Sequence, residues 1–508
     1  MSDPMRLIFI TFLIVPFTSL SQYLNSEKIE ELSKSKLPKV ITEFRELLAI
    51  PNDANYELHV EENVKWMKAA FKKRNFTVQV LNTNGPDVLL ASRTVRNPAK
   101  TVMFYLHIDG QPVDSSKWFQ DSPYEPVLKT KVESGWEIIG WENVEGEIDP
   151  EWRVFARSAS DAKGPVVMFL GAIDIIDEND ISSNFNIKVI MDFEEEKGSP
   201  NLADALEKYK TELESDMLVI LDGPRHISNK PTLTFGARGI TTITLTIFGP
   251  RVPQHSGHYG NYAPNPAFKL SALLSSMKDE SGVVLIPGYY DGIEIDDKTR
   301  KILAAVPDDE DMIKANIGIA KIDGIATTYQ EAIQYPSLNI RGMQSGWIGK
   351  QARTIIPATA TAEIDVRLVK ESSSDRLVGL IRGHISSKGY HFVDSVPSED
   401  ERKLFPNLIS MTSTNSYGAF RTAFDSDIGT WLYSAMVRTF DEEPIRIRTS
   451  GGSIPIAPFV STLGIPAVTV PNVNRDNNQH SPNENLRLGN LEEGIRICLA
   501  ILSEPFTK

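Results

Sequence analysis

Short apolar runs that alternate with helical stretches constrain the fold of this 508-residue chain more than any other feature. Three such runs, at residues 101–106, 186–191 and 216–221, are rich in Val, Ile, Leu, Met and Phe. Stretches with helical spacing of apolar residues lie between them, as at 163–177 and 200–211. Strands with continuous apolar character are buried on both faces, which is typical of a parallel sheet covered by helices. We therefore predict an α/β fold with a mostly parallel sheet.

A different pattern interrupts this alternation in the middle of the chain. Residues 240–247 and 360–367 alternate apolar with polar side chains, which is typical of strands with one solvent-exposed face. Helical patterns near 266–278 and 373–386 accompany them. This order indicates a small α+β domain inserted into the first domain. The predicted division is residues 22–232 and 392–508 for the first domain and 233–391 for the insertion.

The first residues are typical of a signal peptide. An apolar run at 7–17 follows Arg6, and Ser19 and Ser21 stand at the small-residue positions before a cut at Gln22. The run is shorter than the roughly 20 residues of a membrane-spanning helix, so we expect no stable membrane span. We predict a signal peptide at residues 1–21 and an exported, periplasmic or secreted protein; a buried N-terminal strand or helix is the alternative.

Charge and cysteine content narrow the function classes. The chain has 53 Lys and Arg against 67 Asp and Glu, a net charge of −14, and no basic block. Binding to a phosphate backbone needs concentrated positive charge, so we expect no nucleic-acid partner. Cys498 is the only cysteine, so there is no intrachain disulfide. A metal site must therefore use histidines and carboxylates.

Candidate metal ligands follow the three apolar runs. His107 follows the first, residues 194–196 (Glu-Glu-Glu) follow the second and Asp222 follows the third. Each has an ordinary alternative: a hydrogen-bonded histidine at a strand end, or a solvated acidic surface. The carboxyl ends of parallel strands share one edge of a sheet, so these side chains should converge. Their convergence without a basic residue to neutralise them indicates a bound cation.

Two further residues fit the same site. Asp161 directly precedes a helical stretch, where a helix N-cap is the alternative, and His480 lies in a polar loop, where an idle exposed histidine is the alternative. The nitrogen and oxygen donors of the combined set are those of a two-zinc site, with Mn²⁺ or Co²⁺ as substitutes. The set is His107, Asp161, Glu196, Asp222 and His480.

Six motifs occur in an order similar to that of a known family. They are YLHIDGQPVD at 105–114, SASDAKG at 158–164, EEEKGS at 194–199, HSGHYG at 255–260, GGSIP at 451–455 and HSPNE at 480–484. With these motifs the chain resembles the zinc metallopeptidases that include carboxypeptidase G, aminoacylase and carnosinase-type dipeptidases, and the dipeptidase branch most of all. The resemblance implies a di-zinc catalytic domain with an inserted ferredoxin-like lid that also forms a homodimer.

The resemblance assigns roles around the metals. One zinc ion would take His107 and Asp222 and the other Glu196 and His480. Asp161 would bridge the two ions, and its peptide bond to Ala162 would be cis.

The general base and its neighbours are assigned in the same way. Glu195 would be the general base. Glu194 is the alternative, because the run of three glutamates leaves the register open, although the Lys-Gly-Ser at 197–199 favours Glu195. Asp109 would orient the imidazole of His107.

The lid residues complete the implied site. His255 would reach the active site of the partner subunit and stabilise the oxyanion. Thr354, Arg367 and Ser453 would hold a substrate carboxylate; for Arg367, a surface arginine on the exposed face of a strand is the alternative. Three departures from the family pattern, at Ala156 and Ser158, at Thr449 and Ser450, and at Asn261, change no candidate ligand.

The leading prediction is a hydrolase, an exported di-zinc exopeptidase that acts on dipeptides or short peptides. A rival with the same metals and base is an N-acyl-amino-acid amidohydrolase. A non-catalytic binding protein that keeps the fold is the third alternative, and it predicts loss of a ligand or of the base.

Overall fold

The structure is a computed structural model that describes residues 24–452 and 454–506. The predicted signal peptide and Ser453 lie outside the described residues. Within them, the helices are α1 Ser26–Leu48, α2 Glu57–Lys73, α3 Gly164–Glu178, α4 Leu202–Lys208, α5 Ser256–Tyr259, α6 Pro266–Ser275, α7 Asp297–Ala304, α8 Glu310–Ile317, α9 Tyr329–Ala332, α10 Ser374–Ser387, α11 Glu399–Leu404, α12 Asp427–Phe440 and α13 Leu488–Ser503.

The strands follow the same chain order. They are β1 Thr77–Leu81, β2 Val88–Arg93, β3 Thr101–His107, β4 Val127–Val132, β5 Gly135–Ile139, β6 Arg153–Phe155, β7 Asn186–Asp192, β8 Met217–Ile220, β9 Thr232–Thr234, β10 Gly236–Ala237, β11 Gly239–Phe248, β12 Gln254–His255, β13 Asn339–Gln344, β14 Ile355–Ile356, β15 Thr359–Leu368, β16 His391–Phe392, β17 Leu408–Tyr417, β18 Phe420–Arg421, β19 Ile445–Ile447, β20 Ala467–Thr469 and β21 Asn485–Arg487.

The central sheet confirms the predicted α/β class. Its strand order is β1-β2-β7-β3-β8-β20-β9-β19. The four central strands, β7 to β20 in that order, run parallel, while β1 and β2 add antiparallel pairs at one edge. Alternate residues of β3 enter two cores: Phe104 packs with α1, α3 and α13, and Met103 packs on the opposite face with α4. Burial on both faces explains why these strands appear as continuous apolar runs.

A smaller sheet joins segments that are far apart in the chain. Its order is β21-β6-β4-β5, and β21 pairs antiparallel with β6 so that Asn485 lies opposite Phe155. The pairing brings the loop that follows β6 beside the loop that precedes β21. Asp161 and His480 lie in these two loops.

The lid has the predicted ferredoxin-like arrangement. Its sheet has the order β13-β15-β11-β17-β16, and α6 and α10 contribute to a core on one face of it. The predicted boundary at residue 391 coincides with the start of β16, whereas this sheet also contains β17 and continues to Tyr417. Only Leu408 and Ile409 of β17 are buried, so its sequence lacks the alternation that marks β11 and β15.

A long connection between α6 and β13 carries α7, α8 and α9 and returns to the catalytic domain. Asp308 accepts a hydrogen bond from Gln330 and lies 3.0 Å from Nε2 of His226, which follows β8. Among residues 24–452 and 454–506, no helix is both long enough and apolar enough for a membrane crossing.

Candidate metal centre and active site

One edge of the central sheet carries the candidate ligands, as the strand ends predict. His107 ends β3, Glu195 and Glu196 follow β7, and Asp222 follows β8. Asp161 precedes α3, and His480 comes from the loop before β21. The Asp161–Ala162 peptide bond is cis, as the resemblance implies.

The five side chains form two groups that share one residue. In the first, Nε2 of His107 lies 3.2 Å from Oδ1 of Asp161 and 3.5 Å from Oδ1 of Asp222. In the second, Nε2 of His480 lies 2.9 Å from Oδ2 of Asp161 and 3.2 Å from Oε2 of Glu196. Within each group the donor atoms all lie within 4.8 Å of one another. Asp161 therefore offers one carboxylate oxygen to each group, which is the geometry of a bridging ligand.

Unsatisfied polar atoms at this centre fit a pair of divalent cations. Nε2 of His107 is buried and lies close to carboxylate oxygens of Asp161 and Asp222 without a well-formed hydrogen bond to a described residue. Burial raises the pKa of Glu196 to about 8, and the charge of the neighbouring Asp161 contributes to the rise. No described Lys or Arg forms an ion pair with the three ligand carboxylates. Two cations would relieve the repulsion between the carboxylates, and one of them would be the partner of Nε2 of His107.

Asp109 links the two halves of the centre. Its Oδ1 lies 3.4 Å from Nδ1 of His107 and accepts a hydrogen bond from the backbone of Glu195 (3.1 Å), while its Oδ2 accepts one from the backbone of Glu196 (3.0 Å). Asp109 is 3% exposed. One buried carboxylate thus contacts the imidazole of His107 and also holds the turn that carries the two glutamates. These contacts fit the orienting role that the resemblance implies for Asp109.

The glutamate run separates into residues with different surroundings. Glu194 turns to Asn201, whose backbone and side-chain amides donate to its Oε1 at 3.2 and 2.8 Å. Burial raises the pKa of Glu195 well above its usual range against the opposing charge of His107, and Asp222 and Asp161 raise it further. Glu195 is therefore the member of the run that faces the ligands without being one of them.

Glu484 is a residue of the site that sequence reasoning missed. Its fully buried carboxylate accepts hydrogen bonds from the backbone amides of Ser158 (2.9 Å), Ser160 (3.0 Å) and Asp161 (2.9 Å) and from the guanidinium of Arg157 (2.7 Å). It lies four residues after His480 in the same motif. Its position in the motif of His480 could have indicated a role at the site. The sequence could not show that Glu484 binds the loop of Asp161, which is more than 300 residues away in the chain.

Two of the predicted lid residues lie together and apart from the ligands. His255 ends β12 and Thr354 directly precedes its partner strand β14, and the amide of Ser256 donates to the carbonyl of Thr354 at 3.0 Å. Both side chains are exposed, and neither belongs to a ligand group within this chain. Ser453, the third predicted substrate contact after Thr354 and Arg367, lies outside the described residues.

Arg367 shares a face of the lid sheet with Tyr417. It stands on β15 opposite Ile240 of β11, which in turn stands opposite Tyr417 of β17, so the three share one face of the sheet. Burial raises the pKa of Tyr417, the charge of Glu195 raises it further, and Arg367 lowers it. Tyr417 is thus close enough to both Glu195 and Arg367 to be affected by their charges, and sequence reasoning missed it because β17 has no clear strand pattern.

Comparison with known proteins identifies the family. Residues 103–504 match the model of peptidase family M20/M25/M40. The chain is 26% identical over 499 residues to the Cys-Gly metallodipeptidase dug1 of Schizosaccharomyces pombe, which covers 94% of this chain and 98% of that protein. It is 27% identical over 430 residues to the human Beta-Ala-His dipeptidase, covering 82% and 77%.

A solved structure agrees with this match. The M20 family metallo-carboxypeptidase Sso-CP2 from Sulfolobus solfataricus superposes with a TM-score of 0.73 at 25% identity, over 92% of this chain and 98% of that chain. These findings confirm the predicted resemblance. Because the family model spans most of the chain and all five candidate ligands, the protein belongs to peptidase family M20/M25/M40 and is a hydrolase of the metallopeptidase type.

Proposed function

We propose that this protein is a di-zinc exopeptidase that hydrolyses dipeptides or short peptides, with Mn²⁺ or Co²⁺ able to replace zinc. The observation that carries the proposal is the pair of ligand groups that share Asp161, with Glu195 beside them. The relatives named as dipeptidases support the substrate class, because they align over most of the chain.

The chain itself provides the metal ligands, the general base, and Asp109, which orients His107 and the turn of Glu195. His107 and Asp222 would hold one zinc ion, Glu196 and His480 the other, and Asp161 both. The bound ions would supply Lewis acidity and lower the pKa of water. Glu195 accepts a proton from the attacking water and donates it to the leaving amine, since its carboxyl group lies beside the ligand groups without belonging to either.

We also propose that the working unit is a homodimer formed through the lid. Strand β13 is an edge of the lid sheet, and Ile340, Met343, Trp347 and Ile348, on it or just after it, are exposed. Exposed apolar residues grouped along a free sheet edge favour an interface there. A partner copy seated there would allow its His255, which is exposed and apart from its own ligands, to serve the neighbouring site.

Export is proposed from the predicted signal peptide at residues 1–21. N-terminal sequencing of the protein recovered from its native host tests it, with Gln22 expected as the first residue. A mature protein that begins at Met1 or Met5 would contradict export by this route.

A deacylase with the same centre is the rival activity. The test combines metal analysis of the purified protein with product analysis on matched substrates, such as Ala-Ala and N-acetyl-Ala. We expect up to two zinc ions per chain, loss of activity on chelation and preference for the dipeptide. Preference for the acyl-amino acid would favour the deacylase, and metal-free protein with full activity would refute the metal assignment. A chain that binds metal but hydrolyses neither substrate would match the non-catalytic alternative, against which the full set of ligands and Glu195 argues.

A further inference from the structure

Arg238 is a buried cation that the mechanism above does not use. It lies between β10 and β11 and is 8% exposed. Its Nη2 donates to the carbonyl of Tyr335 at 2.7 Å, while its Nε is buried and has no hydrogen-bond partner among the described residues. No described carboxylate forms an ion pair with it, although a buried charge is normally paired.

A second arginine lies beside it. Arg238 directly precedes β11, two residues before Ile240, which stands opposite Arg367 of β15. Burial lowers the pKa of Arg238 to about 10, and the charge of Arg367 contributes to the decrease. The nearby carboxylate of Asp365, 3.9 Å from Nε of Arg367, already accepts a hydrogen bond from Asn339. Asp365 thus lies near Arg367, whereas Arg238 has no ion pair with a carboxylate among the described residues.

The connection between α6 and β13 holds Arg238 in this position. This connection contains Tyr335, whose carbonyl accepts the hydrogen bond from Arg238. It also contains Gln334, whose side-chain oxygen accepts a hydrogen bond from Thr449 at 3.2 Å. Ser450 then pairs with Gly236, whose carbonyl accepts its amide at 2.8 Å. Arg238 is thus fixed next to the Gly-Gly loop at 451–452, one of the family motifs, and at the end of the lid sheet that carries Tyr417 toward Glu195.

We propose that Arg238 is a second arginine that binds, together with Arg367, the free C-terminal carboxylate of a peptide substrate. The inference rests on the proposed peptidase function and adds a specificity-determining residue to it. A carboxylate accepts two hydrogen bonds from a guanidinium group, and the buried Nε of Arg238, which has no described partner, offers one such donor. The pair would select substrates that end in a free carboxylate and reject those that end in an amide.

The test compares Ala-Ala with Ala-Ala amide in the zinc-loaded wild type, R238Q and R238K. R238Q should raise the KM for Ala-Ala by about 10- to 100-fold, the loss expected for a hydrogen bond to a charged group, and change the KM for the amide by less than about threefold. R238K keeps the charge and should recover part of the loss. R382Q is the control, because Arg382 lies in the lid on α10, is exposed and stacks over the ring of Phe392. Equal changes in KM for acid and amide would overturn the proposal.

Binding separates this proposal from the proposed function. In an E195Q background, calorimetry measures the Kd of Ala-Ala and of its amide with and without R238Q, and the thermal melting midpoint shows whether each variant is folded. A selective loss of Ala-Ala affinity in R238Q supports the role of Arg238, whether or not the wild type hydrolyses the dipeptide. Failure of the wild type to hydrolyse it would refute only the proposed function. Unchanged affinity in folded R238Q and R238K variants would overturn the carboxylate site while leaving hydrolysis intact.

Discussion

Glu194 and Glu195 are adjacent, but only one of them faces the candidate metal ligands. The carboxylate of Glu194 accepts a hydrogen bond from Asn201, whereas the charges of Asp161 and Asp222 raise the pKa of Glu195. The difference arises because Asp109 accepts both backbone amides of the turn and so fixes which side chain points to which side.

This contrast predicts the outcome of two single substitutions. E195Q removes the proton acceptor but keeps the shape of the side chain, so turnover should fall by roughly 10²- to 10⁴-fold while metal content persists. E194Q keeps an acceptor oxygen for Asn201 and should lower turnover by far less. Steady-state kinetics with metal analysis checks both, and an inactive E194Q beside an active E195Q would mean that the base is Glu194.

Glu484 acts on the metal centre through the backbone of the bridging ligand. E484Q places an amide group against donors that need acceptors, so the loop that carries Asp161 should relax. We expect zinc affinity to fall by roughly 10- to 100-fold, as for other residues that orient metal ligands. Titration of zinc into the metal-free protein against a chelator measures it.

The matched control for this variant is E504Q. Glu504 is also a buried carboxylate with an arginine partner, Arg438, but it follows the far end of α13. E504Q should lower stability and leave zinc affinity unchanged. Equal zinc affinities in E484Q and wild type would show that Glu484 only supports the fold.

At the scale of elements, close helix packing holds the catalytic domain beneath the centre. Helix α3 begins just after Asp161, and nearly all of its residues are buried, as expected for a helix that is apolar on every side. Gly171 of α3 allows α1 to approach: an added Cβ would lie 2.6 Å from Cγ2 of Val40. Because Val is stiff at χ1, that neighbour cannot easily move away.

The packing predicts opposite effects for two glycine substitutions. G171A should destabilise the protein, since overpacking costs about 1–3 kcal/mol and exceeds the gain of about 1 kcal/mol in helix propensity. G379A, on α10, has open space around its added Cβ and should keep that gain. Midpoints of thermal unfolding compare the two; a G171A protein as stable as G379A would show that α1 and α3 can separate at little cost.

At the scale of the whole molecule, the proposed dimer makes the lid part of the neighbour's active site. His255→Ala should lower the catalytic rate by roughly 10²- to 10³-fold without loss of zinc, because an oxyanion donor is removed. Mixing H255A subunits with E195Q subunits should restore activity, since a heterodimer contains one site with an intact base and an intact partner histidine. Activity that stays at the level of the parents, despite proven subunit exchange, would rule out sharing.

The local sequence determined the central strands and the residues at their ends. The runs at 101–106 and 186–191 are apolar throughout because both faces of each strand are buried, and parallel strands bring His107, Glu196 and Asp222 to one edge. Composition alone restricted any metal site to nitrogen and oxygen donors, since Cys498 is the only cysteine in the sequence. The alternation in β11 and β15 likewise determined the lid sheet.

Tertiary structure decided what depends on contacts between distant segments. The pairing of β21 with β6 places Glu484 under the loop of Asp161, and the lid sheet places Tyr417 opposite Ile240; neither β6 nor β17 has a strong strand pattern of its own. The choice between Glu194 and Glu195 depended on Asp109 and Asn201, which no periodicity in the sequence links to the run. Nothing in the sequence distinguishes Arg238 from an ordinary arginine at the end of a strand. Its burial and its hydrogen bond to the Tyr335 carbonyl arise only when the connection before β13 packs against it. Periodicity reports whether a side chain meets core or solvent, and the identity of its polar partners is fixed only when the chain is folded.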